Sequence, residues 1–336
     1  MQGDSSSIAD DVSGEYAAIL GIKPEKYQTK VLLFQVRNVK RLHWLEWMFL
    51  LLALFSIMGT LGLTIQRIVH TKSNSRYLTE HCHGCCGWKC DPDFTFAILL
   101  IVNLVFCTVY AIDGLFREQK YEMLTYTGGV LVIVVYVISN YIDHGRNGED
   151  IRLVRLILLC VFGPLNMIFA VMVFYRMGFL ELNFIGANIT HLRIYRTGVE
   201  FCTWLKFNFQ IAVSCLAIVL CRPNSEVSVS LKVILSVGVA LVALWTIIGW
   251  MLVYKENVLL AVVFILMSSI EAAFYIYLLV ETGIRHDKFK KNETVFVASV
   301  LYIGGSLGII NFALIIIWFF RIIVNFGAGM KEKILP

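Results

Sequence analysis

The sequence predicts an all-α membrane protein, a polytopic bundle of about eight transmembrane helices. Two observations carry that reading. The chain is 58% hydrophobic and only 16% charged, where a soluble domain carries roughly 25% charged residues. Its apolar residues also lie in long charge-free blocks, most of them near the roughly 20 residues a helix needs to cross hydrocarbon. Short strands of alternating hydrophobicity do not occur, which argues against a β-barrel. A backbone that must satisfy its own polar groups in lipid is then helical.

Taken in order, residues 1–43 read as a cytosolic tail that opens on the Ser/Asp-rich MQGDSSSIADDVSG, a stretch too polar to order itself. Spans follow at 47–66, 94–112, 123–142, 156–175, 201–221, 233–254, 257–280 and 294–320. They make a transmembrane domain over 44–322, and 323–336 is a short C-terminal tail. The fifth span is the weakest, because only Phe207–Cys221 is charge-free and the span must reach back across Lys206. If it does not cross, the count is seven and the C-terminus changes sides. Lys40 and Arg41, with Arg37 nearby, flank the first span and favour a cytosolic N-terminus. No basic segment followed by an apolar core precedes that span, so it reads as an uncleaved signal-anchor for the plasma membrane or a secretory-pathway membrane.

Two connections are long. The first, 67–93, is a cysteine-rich outer loop with Cys82, Cys85, Cys86 and Cys90 inside HCHGCCGWKC. On the outer side thiols oxidise, so two structural disulfides are expected there; adjacent Cys85–Cys86 pairing is sterically disfavoured. His81 and His83 among the same cysteines keep a tetrahedral zinc site as the alternative. The second connection, Arg176–Glu200, mixes apolar and basic residues. It reads either as a segment on the cytosolic lipid surface or as a loop packed on the bundle. No internal repeat is evident: the two YR-x-G pieces, Tyr175–Gly178 and Tyr195–Gly198, are too short to count.

The candidate functional residues are polar groups at membrane depth. Glu271 lies near the middle of the seventh span, where a charged side chain costs about 3 kcal/mol on insertion scales. Ser268 and Tyr275 share its helical face. One reading makes Glu271 a proton- or cation-binding carboxylate; the other makes it a neutral, hydrogen-bonded group that fixes helix packing. The fifth span carries a second stripe, Lys206, Gln210 and Ser214. Asp113, at the end of the second span, lies at the depth of Lys206. Separate solvated ends are the simpler reading, and a salt bridge between them is the sharper one. Asn103, Asn166 and Asn311 are mid-span amides. Gly304 and Gly308 form a GxxxG pair suited to homo- or hetero-oligomer contacts.

All seven histidines lie outside the predicted spans, and HExxH, P-loop and GxGD patterns do not occur, so no enzyme activity and no cofactor are expected. The net charge of +5 is spread over short membrane-flanking segments and does not suggest a nucleic-acid partner. The expected partners are the lipid bilayer and a small solute or ion. A transporter or channel is the first functional reading. Its alternatives are a receptor unlike rhodopsin (there is no DRY-like end and no NPxxY) and a structural or accessory membrane protein. The run Thr203–Gln210, TWLKFNFQ, resembles uncharacterised multi-pass membrane proteins of invertebrate animals. That resemblance implies a membrane bundle and no particular activity.

Overall fold

In a computed structural model, the described residues are 28–31, 34–37, 42–81, 92–117, 119–143, 150–185, 189–220, 229–284 and 295–326; side chains at several helix ends are also outside the description. Among them are eight long helices: α1 (Trp44–His81), α2 (Pro92–Phe116), α3 (Lys120–Asp143), α4 (Asp150–Ile185), α5 (Ile189–Leu220), α6 (Val229–Lys255), α7 (Val258–Ile284) and α8 (Val295–Val324). Each contains a stretch long and apolar enough to cross a membrane. The fifth qualifies over Arg196–Leu220, so the eight-helix count holds and the seven-helix alternative is not needed. The chain is a multi-pass membrane protein. A short antiparallel hairpin, β1 (Gln28–Val31) and β2 (Phe34–Arg37), precedes α1 with Gln28 opposite Arg37 and Val31 opposite Phe34. It lies in the region read from sequence as tail.

Local chemistry sets the helix ends. At the start of α1, the Leu45 amide donates to His43 Nδ1 (3.3 Å) and Glu46 Oε2 accepts from the His43 amide (2.9 Å). This reciprocal arrangement is a capping box that satisfies two otherwise orphaned donors. The α6–α7 turn is only two residues long. Glu256 takes φ 46°, a left-handed conformation costly for a side-chain-bearing residue, and Asn257 Oδ1 caps α7 by accepting from the Leu259 amide (2.8 Å). Threonines inside the helices return their hydroxyls to the carbonyl four residues back, as Thr60 does to Ser56 and Thr64 to Thr60. They need no other partner in lipid.

The helices pack as two closed rings. In the N-terminal ring α1 packs on α2, α2 on α3, α3 on α4, and α4 returns to α1; in the C-terminal ring α5, α6, α7 and α8 repeat that order. The main contacts between rings run through α5, which packs on α2 and more lightly on α3 and α4. The first ring has its own core, which includes Phe49, Tyr110, Leu115, Met123 and Ala170. Around the second lie two, one at Tyr275 and Leu278 that also takes in Leu99 of α2, and one at Phe264 and Trp245.

Two connections come out shorter than the sequence suggests. The α1 helix is 38 residues long, about 57 Å at 1.5 Å per residue, so it continues well past the hydrocarbon to His81. No Pro or Gly interrupts residues 67–81 to stop it. Likewise α4 runs to Ile185 and α5 starts at Ile189, so the backbone of 176–200 is chiefly the ends of two spanning helices and not a separate surface segment. The disulfide and zinc expectations for Cys82, Cys85, Cys86 and Cys90 fall outside the described residues.

Candidate functional site: polar groups between the helices

Three polar clusters lie on α5 or against it. The deepest is built on Asn208. Its Nδ2 donates to Glu271 Oε1 of α7. Its Oδ1 accepts from the Tyr275 hydroxyl (3.1 Å) and from Asn311 Nδ2 of α8 (3.2 Å). Tyr275 also donates to the Asn208 backbone carbonyl (3.2 Å), and Asn311 to the Trp204 carbonyl (3.2 Å). Asn208, Glu271 and Asn311 are each the middle residue of their membrane-spanning stretches, Arg196–Leu220, Val258–Ile284 and Ala298–Val324. The cluster therefore lies midway along three of the candidate membrane spans. Its three key side chains are 0%, 2% and 2% exposed, so neither water nor lipid headgroups serve them. Among the described residues no cation pairs Glu271.

The second cluster holds the buried charges where the rings meet. Lys206 Nζ donates to Asp113 Oδ2 of α2 (2.5 Å) and to Glu122 Oε1 of α3. Arg117, in the α2–α3 turn, lies 3.6 Å from the same Asp113 oxygen and donates to the Tyr254 hydroxyl of α6 (3.1 Å). Burial lowers the proton affinity of the Arg117 guanidinium, and Tyr254, Asp113 and Glu122 outweigh that to hold it above its ordinary value. With its amide turned so that nitrogen faces the carboxylate, Gln119 donates to Glu122 Oε1 (2.8 Å) and accepts from Arg117 (3.2 Å). The Lys206 ammonium also stands 5.5 Å from the centre of the Trp250 ring.

The third cluster is neutral. Gln210 accepts from the Tyr110 hydroxyl (2.9 Å) and donates to Asn103 Oδ1 (2.8 Å), which ties α5 to α2. Asn103 spends its own amide N–H on the Leu99 carbonyl (2.9 Å).

These contacts sort the residues predicted from sequence. Glu271, Tyr275 and Asn311 come together. Ser268 does not join them: its hydroxyl bonds the Ile265 carbonyl of its own helix (2.6 Å). Asn166 is buried in the other ring, with its Oδ1 unpartnered among the described residues. Lys206 and Asp113 are bonded to each other, not separately solvated, because α5 is packed on α2 at that depth and water cannot reach Lys206, 7% exposed. Gln210 belongs to the neutral cluster, and Ser214 Oγ has no described partner. The Gly304/Gly308 pair does not offer a free oligomer face. A Cβ at Gly308 would strike the Tyr275 ring, and one at Gly304 would come within 2.8 Å of Cys215 Sγ. The close approach that the glycines permit is used inside the chain.

Two central residues escaped the sequence reading. Asn208 lies between Lys206 and Gln210, on the opposite face from their stripe, and only knowledge that α5 is buried on both sides would single it out. Glu122 lies one residue before the predicted start of the third span. Its signal was its nearness to Met123 in a chain with few acidic residues at membrane depth.

A family model described as a domain of unknown function (DUF7789) matches residues 34–175 and 186–326. The chain belongs to this family. Between them the two matched stretches take in seven of the eight helices, α4 up to residue 175, and every residue of the three clusters. The family assignment carries no stated activity. Neither a curated protein nor a solved structure matches the chain.

Proposed function

We propose that this protein moves a small solute or ion across the bilayer, with Glu271 as the midplane carboxylate that binds a proton or cation during transport. One observation carries the reading. A buried carboxylate at the centre of a membrane span is held by an amide and a helix bundle, with no described counter-charge. In that setting the ionised form costs several kcal/mol more than in water. The group is therefore best occupied by a proton or a coordinated cation, and losing that occupant favours a different arrangement of the helices around it. No catalytic role is assigned, since the histidines lie outside the spans and no nucleophile-base pattern is found in the sequence.

A packing role is the competing reading, and one observation favours it. Asn208 ties α5, α7 and α8 with its whole carboxamide oxygen and one N–H. Glu271→Gln separates the two. The substitution keeps shape and hydrogen-bonding capacity and removes the titratable proton. In proteoliposomes or whole-cell recordings, a flux or current driven by a pH gradient is expected to fall at least about tenfold, a change of about 1.4 kcal/mol, with thermal stability unchanged. Flux that is pH-dependent and identical in Glu271→Gln reduces Glu271 to packing.

A further inference from the structure

We infer that the chain is a fused tandem pair of one four-helix unit, α1–α4 and α5–α8, inserted in the same orientation, and that only the second copy retains the carboxylate site. The equivalence does not depend on the transport reading. Describing the second copy as the one that carries the working site does.

Four observations converge. First, each of the two family-matched stretches contains one ring, the first short of the end of α4, and the rings close in the same order. Four spans is an even number, so both copies start from the same side of the membrane, as in parallel repeats. Second, the short turn between the second and third helix of each ring has the same residue classes, an aromatic, a basic residue, Glu and an amide: Phe116-Arg117-Glu118-Gln119 in one and Tyr254-Lys255-Glu256-Asn257 in the other. Third, the last helix of each ring carries Gly-x-x-Asn, then nine residues, then Arg, with two aromatics before the Arg. These are Gly163, Asn166, Phe174, Tyr175 and Arg176, against Gly308, Asn311, Phe319, Phe320 and Arg321. Gly163, Asn166, Gly308 and Asn311 are all buried.

Fourth, packing follows the same register. Counted from the turn motif, Met123, Tyr126, Val130, Ile133 and Val137 of α3 correspond to Ala261, Phe264, Ser268, Glu271 and Tyr275 of α7, and all ten are buried. On the first helices, Phe49, Ala53 and Ser56 correspond to Phe201, Leu205 and Asn208, again all buried. The corresponding aromatic pairs touch in both rings: Phe49–Tyr126 at 5.3 Å between centroids and Phe201–Phe264 at 5.7 Å. The offset is constant within each helix pair and differs between pairs (152 from Ser56 to Asn208 for α1 and α5, 138 from Ile133 to Glu271 for α3 and α7, 145 from Asn166 to Asn311 for α4 and α8), so the connections between helices differ in length while burial and ring contacts keep step inside each pair.

The register also explains why the junction between copies occurs once. The polar residues that α2 and α5 use there are Asn103, Tyr110 and Asp113, with Lys206 and Gln210. Their equivalents on α6 are Leu241, Ile248 and Met251, and on α1 they are Leu54 and Met58. Leu54 and Met58 are exposed, as suits a face turned to lipid.

The test rebuilds the missing site in the first copy of the full-length chain. Ile133→Glu alone should lower the melting temperature of the detergent-solubilised protein by more than about 5 °C, because the equivalence puts Ser56 where Glu271 has Asn208. Adding Ser56→Asn should recover about half of that loss. The same Ser56→Asn change combined with Val134→Glu, one residue out of register, should recover nothing. Where the carboxylate prevents folding altogether, Ile133→Gln with and without Ser56→Asn gives the same comparison with neutral groups. Absence of coupling between positions 56 and 133 in both series, or equal recovery in the shifted series, overturns the equivalence. Neither result bears on whether Glu271 supports flux.

Discussion

In the first ring, Ile133 and Val137 stand where the second ring has Glu271 and Tyr275, and Ser56 stands where the second has Asn208. Asn166 and Asn311 correspond, and both are buried. Asn311 spends its amide N–H on Asn208 and on the Trp204 carbonyl, while both amide oxygens, of Asn166 and of Asn311, are left without a described partner. The comparison teaches what each ring is built to do. One packs hydrocarbon around a leftover amide. The other assembles a directional network in which the Asn208, Tyr275 and Asn311 donors each have an acceptor, although the Asn311 oxygen has no described partner. The charged residues of the first ring are instead pushed to its ends, where Glu46 caps α1 and lies 3.6 Å from Arg176.

The largest effect is expected at the seam between the rings. Lys206→Met leaves the fully buried Glu122 without its ammonium, beside an Asp113 whose side chain is 30% exposed. Breaking a buried pair in this way costs about 3–5 kcal/mol, and the unfolding midpoint should show it. Lys206→Met with Glu122→Gln should restore a large part of the loss, since the remaining Asp113 still has Arg117. Removing a paired cation inside the first ring, Arg176→Met, should cost roughly 1 kcal/mol or less. Its side chain is 35% exposed and Glu46 keeps its capping bond. Equal losses for the two would mean that the seam is wetter than its packing indicates.

Much of this was legible in the sequence. Eight spans, the isolated Glu271 and its Tyr275 neighbour, and the mid-span amides all follow from hydropathy and helical spacing. What spacing along one helix cannot give is which helix lies opposite. Asn208 and Glu122 became central only once α5 was seen to be buried on both sides. Gly304 and Gly308 likewise looked like an oligomer face until Tyr275 of the same chain was found against them. The repeat was missed for a related reason. In lipid, most positions need only be apolar, so two copies can lose letter identity while keeping burial. The signature survives at a turn and at one Asn-to-Arg spacing, not in runs of similar residues.

Glycine substitutions give the intermediate test. Gly163 and Gly308 occupy equivalent places on α4 and α8. A Cβ at Gly308 meets three atoms of the Tyr275 ring, a rigid group held by its own hydrogen bonds. At Gly163 a Cβ meets chiefly Val134 Cγ2 at 2.7 Å. Gly308→Ala should therefore cost about 2–3 kcal/mol and disturb the Asn208 network, while Gly163→Ala should cost about 1 kcal/mol, because the Val134 neighbour can shift with α3. Tyrosine fluorescence and the unfolding midpoint report the two effects separately. A larger loss at Gly163 would place the tighter helix contact in the first ring.

The smallest effect, and the one of opposite sign, is expected at the paired asparagines. Replacing Asn311 by Leu removes two donated bonds and leaves Asn208 Oδ1 with Tyr275 alone, for a loss of about 1–2 kcal/mol. Replacing Asn166 by Leu removes a buried carbonyl oxygen that has no described partner. An unsatisfied polar atom in an apolar ring is a cost to the folded state, so Asn166→Leu should be neutral or stabilise by up to about 1 kcal/mol. Denaturation of the two variants in the same detergent decides it. If Asn166→Leu destabilises as much as Asn311→Leu, the first ring keeps a polar partner for its amide and is a second site, not a hydrophobic scaffold.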